Sequence, residues 1–216
     1  MKNVIKKAFI GILATFLLLG ATACGETVTY NPALPTEGQV DDYKQYLGKP
    51  FNSTADLSDC QGYKNWYYYC GDPEIEMLDY MVFSEYYGRW CSKYHHLYTY
   101  TYMWGTSWLP DGRQGFGIGM GFKAPATGML DVSVMLNLLA VPELSSGDGV
   151  VFTISDKKGD AYESVSIGKQ DGGKDIPLET TIEVKKGEEI LFMLFANANN
   201  THDFTDVDIT INYVEE

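Results

Sequence analysis

The sequence predicts an all-β domain, either a sandwich or a barrel. Apolar and polar residues alternate with period two in one stretch after another, as in Met129–Leu138 and Val207–Val214. Turn signals built from Gly, Asp, Pro and Lys separate these stretches, in a chain with 22 glycines. Aromatic residues make up 14% of the chain and suit a pleated, half-buried surface. About ten short strands with little helix mean a sandwich or a barrel.

The elements follow in order. Residues 25–55 lack periodicity and contain Pro32, Pro35 and Pro50, which reads as a tether. From Asp59 onward the pattern is β. Trp66-Tyr67-Tyr68-Tyr69 is an aromatic strand bounded by Gly71-Asp72-Pro73. Ile75 to Val82 fits a strand or a helix equally. Tyr98 to Trp104 alternates cleanly, and residues 105–115, with Gly105, Pro110, Gly112 and Gly115, read as a loop. Strands are then expected at Gly117–Lys123, Met129–Leu138, Val150–Ser155, Tyr162–Ile167, Leu178–Lys185, Glu188–Ala196 and Val207–Val214.

The N-terminus carries a processing signal. Lys2, Lys6 and Lys7 precede the apolar run Ala8 to Leu19, which is too short to span a bilayer. Gly20-Ala21-Thr22-Ala23-Cys24 then resembles a lipobox, with Ala21 where Leu is usual. Cleavage before Cys24 and lipidation of its thiol, palmitate included, would place the chain at the cell membrane, on its extracytoplasmic face. The alternative is an ordinary secretory signal cut near Ala23. The expected organisation is a signal peptide at 1–23, a lipid-anchored tether at 24–55 and a β-sandwich at 56–216.

Removal of residues 1–23 takes away three lysines and no acid, leaving 13 Lys+Arg against 29 Asp+Glu. Such a chain repels nucleic acid and anionic lipid, so membrane contact is expected through the lipid alone. An exported protein permits a disulfide, but Cys60, Cys70 and Cys91 are odd in number. Cys70 and Cys91 each follow an aromatic strand candidate and are the preferred pair.

A resemblance adds to this reading. Gln61-Gly62-Tyr63-Lys64-Asn65-Trp66-Tyr67-Tyr68 resembles the opening strand of jelly-roll, carbohydrate-binding-module-like domains of secreted bacterial polysaccharide-associated proteins. Gly88-Arg89-Trp90 stands where that family has its second Trp. Phe122-Lys123-Ala124-Pro125-Ala126-Thr127-Gly128, Gly147-Asp148-Gly149-Val150 and Val184 to Phe192 are similar to its later turns and strands, as is the Asn-rich loop from Asn197 to Asp203 with Val207 to Ile211. Together they cover residues 60–214. The region 91–115 departs from the family in lacking a His-Pro step and in its extra tyrosines. The resemblance implies a jelly-roll sandwich and non-catalytic sugar binding, with Trp66 and Trp90 in the core.

Alternate strand residues share a face about 6.5–7 Å apart. Tyr98, Tyr100, Tyr102 and Trp104 therefore form an aromatic ladder on which pyranose rings could stack while hydroxyls bond. The alternative puts this face in the core, with Thr99 and Thr101 outside. Trp104 and Trp108, beside the loop, are expected to meet solvent. Asp203, Asp206 and Asp208, with Asn197, Asn199 and Asn200, offer oxygens of the kind a structural calcium takes. An Asx-rich turn satisfying its own backbone accounts for the same residues and is preferred. The Cys91/His95/His96 group is a poor metal site, since adjacent strand residues face opposite ways. No catalytic motif stands out. Two functions follow from different classes: a glycan-binding surface lipoprotein without catalysis, or a lipoprotein that docks another cell-envelope protein.

Overall fold

The structure is a computed structural model that describes residues 42–92, 101–112, 115–139 and 147–215. Among these residues the chain forms fourteen strands in two antiparallel sheets. Sheet A runs β12 (Ile176–Val184), β9 (Gly128–Leu138), β14 (Thr205–Val214), β7 (Ser107–Leu109), β6 (Tyr102–Trp104), β5 (Arg89–Cys91) and β4 (Val82–Ser84), with β1 (Phe51–Asn52) also on β14. Sheet B runs β11 (Ala161–Ile167), β10 (Val150–Ser155), β13 (Glu189–Ala196), β8 (Gly117–Lys123), β2 (Trp66–Asp72) and β3 (Met77–Tyr80). From β8 onward the chain crosses repeatedly between the sheets, the wrapping of a jelly roll.

Period-two alternation produces the core. Leu130, Val132, Val134, Leu136 and Leu138 of β9 and Val207, Ile209, Ile211 and Tyr213 of β14 point inward from sheet A. Trp66, Tyr68, Met120, Phe122, Phe152, Ile154, Phe192 and Leu194 meet them from sheet B. Pro177 sits in β12, an edge strand, where a missing N–H breaks no ladder on its open side. Trp66 and Trp90 are core residues, as expected. The Trp90 indole lies 4.1 Å from the Tyr68 ring in a stacked pair and donates to the Ser58 carbonyl at 2.9 Å. The Ser58 N–H in turn donates to the Tyr68 hydroxyl.

Three expectations need correction. The strands exceed ten because β1, β4, β5 and β7, of two or three residues each, escape a periodicity search. Residues 42–55, assigned to the tether, belong to the sandwich. Phe51 and Asn52 pair with Ile211 and Thr210, the Ser53 N–H donates to the Ile209 carbonyl, and Tyr43 and Tyr46 stack on Tyr213. Burial of these rings outweighs the weak local pattern. No disulfide joins Cys70 to Cys91. Cys70 shares the inward face of β2 with Trp66 and Tyr68, whereas Cys91 shares its face of β5 with Arg89, in the other sheet. Burial pushes the Cys91 thiol up, so it remains an S–H.

Candidate functional site

β6 and β7 form a hairpin closed by Gly105 and Thr106, and Gly105 takes the left-handed φ of 61° that the turn requires. Its register sets Trp104 against Ser107 and Met103 against Trp108. Met103 and Trp108 are buried, so Tyr102 and Trp104 point outward, and Trp104 is 66% exposed. The ladder face is thus the solvent face, and Thr101 lies inside. Tyr98 and Tyr100, the other two rungs, lie outside the described residues, as does Cys24.

Trp108 is corrected. Expected at solvent, it is 1% exposed and lies 6.5 Å from Phe152 across the sandwich. The loop reading overlooked the three-residue strand β7 between Gly105 and Pro110. Glycine and proline mark the ends of that strand, not a continuous loop.

β5 lies beside β6, with Trp90 opposite Met103 and Cys91 opposite Tyr102. One more step of that register brings Arg89 across from Trp104. The Arg89 guanidinium carbon is 3.8 Å from the Tyr102 ring centroid and 4.8 Å from that of Tyr87. Tyr86 and Tyr87, in the β4–β5 turn, pack edge to face at 4.7 Å, and Tyr86 is 88% exposed. Phe204 closes the other flank, 6.1 Å from Tyr102. The result is an open aromatic surface with a guanidinium at its centre.

A second tyrosine group, which the sequence reading placed only as an aromatic strand, covers the outer face of sheet B. Tyr69 stacks on Tyr80 at 5.0 Å, with Tyr67 6.1 Å from Tyr80. The Tyr69 hydroxyl donates to Glu189 Oε1 at 2.5 Å, and Lys157 Nζ donates to Glu189 Oε2 at 2.9 Å. Burial, with the Glu189 carboxylate beside it, holds the Tyr69 phenol far above its usual range. The alternation Gly117-x-Gly119-x-Gly121 was the sequence signal for this layer. A Cβ on Gly121 would stand 2.7 Å from the Tyr69 ring, and one on Gly119 2.7 Å from Met193 Sδ. The β10–β11 turn folds over this face, with Gly159 against Glu74. Tyr69, Leu191 and Met193 are buried as a secondary core, while Tyr80 at its rim is 48% exposed.

The acidic stretch does not converge. Asp206 and Asp208 share the outer face of β14, where Asp208 accepts from Asn52 Nδ2 and Thr54 Oγ1. Asp203 precedes the strand, is buried, and accepts from the Gly149 N–H at 3.3 Å. Among the described residues no group of three His, Cys, Asp or Glu side chains could hold a metal ion. Asp203, buried ahead of the strand, thus stands apart from Asp206 and Asp208 on its outer face. Asn199 Oδ1 accepts from the Thr201 N–H as in an Asx turn, while Asn197 Nδ2 and Asn199 Nδ2 reach across to the Asp148 carbonyl and carboxylate, and Asn200 Nδ2 to the Pro110 carbonyl.

No protein-family model matches the chain, and no curated protein matches its sequence. Among solved structures it is similar to the xylan-binding module CBM15, at 10% identity and a TM-score of 0.40 over 77% of this chain and 97% of that one. It is also similar to the CBM35 from Cellvibrio japonicus Abf62, at 10% identity and 0.34 over 52% and 80%. A third similarity is to pika GITRL, at 9% identity and 0.31 over 69% and 97%. Likenesses of this degree carry nothing about a ligand.

Proposed function

We propose that this chain is a non-catalytic, glycan-binding lipoprotein of the cell envelope, with Trp104 and Tyr102 as its stacking platform. The observation that carries this reading is the Trp104 ring, 66% exposed on a hydrogen-bonded strand and flanked by Tyr102. A rigid strand holds the rings at no ordering cost on binding. Pyranose C–H faces stack on such rings while polar groups beside them bond the sugar hydroxyls. Arg89, set among the rings, supplies N–H donors beside the stacking faces. Trp104→Ala is expected to weaken binding to a recognised polysaccharide about tenfold to a hundredfold, a loss of on the order of 1–3 kcal/mol, with little change in melting temperature. Affinity electrophoresis in polysaccharide-loaded gels checks this. Unchanged retardation of the variant would remove the platform.

The anchor belongs to the same proposal. Its support is the basic, apolar, small-residue layout ending at Cys24. Cys24→Ser is expected to shift the protein from the detergent phase of a phase partition to the aqueous phase, or to block maturation. Retention in the detergent phase as mature protein would refute lipidation.

A further inference from the structure

We propose that Arg89 makes this surface selective for sugars that carry a carboxylate, so that uronic-acid-containing glycans bind in preference to their neutral counterparts. This rests on the glycan-binding reading above and names the class of glycan.

The case starts from the state of the Arg89 side chain. Its guanidinium lies on the Tyr102 ring at 3.8 Å and within 4.8 Å of Tyr87, so two aromatic faces hold its plane. Nε is buried and has no hydrogen-bond partner. The side chain contacts the neighbouring Cys91 thiol, and among the described residues it forms no ion pair with a carboxylate.

The chemistry of the side chain gives the ligand class. A guanidinium is always charged and presents N–H donors in a fixed planar fork, which matches the two oxygens of a carboxylate. Held between rings, the fork loses little freedom when it binds. Arg89 also shares the outward face with Trp104, one register step beyond the Trp90–Met103 pair. A pyranose stacked on Trp104 would therefore lie beside the fork, and a C6 carboxylate is the sugar substituent that the fork fits. The chain's net negative charge opposes an anionic glycan at long range, but screening limits that repulsion to about 8 Å at physiological salt. The local contact, made at hydrogen-bond distance, then decides.

The test uses the soluble mature chain and pairs of glycans that differ only in charge: polygalacturonate against its methyl ester, and glucuronoxylan against unsubstituted xylan. Titration calorimetry at physiological salt reads the affinities. The expected result is at least about tenfold tighter binding of the acidic member of a pair, a preference lost in Arg89→Gln and reduced in Arg89→Lys, which keeps the charge without the fork. Trp104→Ala should weaken acidic and neutral members alike. Thermal melts of the variants separate this from a folding defect, and Arg89→Lys serves if Arg89→Gln melts low. If wild type binds both members of a pair equally, or the preference survives in Arg89→Gln, selectivity by Arg89 is overturned while glycan binding stands. If no glycan binds wild type, the glycan reading fails and this inference falls with it.

Discussion

Replacing Trp108 by Ala is expected to cost on the order of 3–5 kcal/mol of stability, whereas Trp104→Ala, on the facing strand of the same hairpin, costs little. Trp108 is fully enclosed between the sheets and approaches Phe152 of sheet B. Opposite it stands Met103, also buried, and β14 pairs with it through Thr205. Deleting the indole leaves a cavity at the point where β7 joins β6 to β14. The strands beyond β7, namely β6, β5 and β4, hang on that junction. Each kcal/mol lost should lower the melting temperature by about 2–4 °C in a domain of this size. Any loss of glycan binding in Trp108→Ala should follow the unfolded fraction, while in Trp104→Ala it should occur in a folded protein. Denaturant unfolding of both variants beside wild type provides the measurement. A stability loss below about 1 kcal/mol for Trp108→Ala would mean that this ring does not brace the junction.

The contrast between these two tryptophans shows where the sequence was legible. From residue 117 onward the strands are six to eleven residues long, and alternation with turn punctuation located each within two residues; Gly117–Lys123 and Val150–Ser155 have the bounds expected. Before residue 117 most strands have two to four residues, too few for a period of two to rise above chance. Their positions come from pairing with distant partners, such as Phe51 with Ile211 and Trp108 with Thr205. Alternation placed Tyr102 and Trp104 on one face but left open whether that face met solvent or the core, which the burial of Thr101, Met103 and Trp108 decides. The centre of the surface was not legible, because Arg89 reaches it only through the β5–β6 pairing. The same holds for the tyrosine layer on sheet B, which needs Glu189 and Lys157 from far along the chain.

A pH dependence follows from Asp203. Its carboxyl is pushed up to about 7, first by burial and then by the charge of Asp148, against the stabilising Gly149 N–H. Asp203 Oδ2 and Asp148 Oδ1 are both buried without a partner, so an ionised Asp203 is poorly served and a protonated one has a hydrogen to offer. The unfolded chain should titrate this group near 3.9, so between about pH 4 and pH 7 the folded state holds the extra proton. This contribution to stability is therefore fullest below about pH 4, falls as pH rises to about 7, and is flat above, at on the order of 1.4 kcal/mol per pH unit. Other groups in the fold titrate over the same range, so wild type alone would mix several effects. Asp203→Asn isolates the one group: its amide oxygen can still accept from Gly149, and its N–H₂ can donate towards Asp148 without titrating. Urea unfolding of both proteins across this range should show Asp203→Asn gaining on wild type by a few kcal/mol between about pH 4 and pH 8. A difference that stays constant with pH would show that Asp203 does not hold a proton in the folded state, and that the turn at Gly149 is built on an ionised carboxylate.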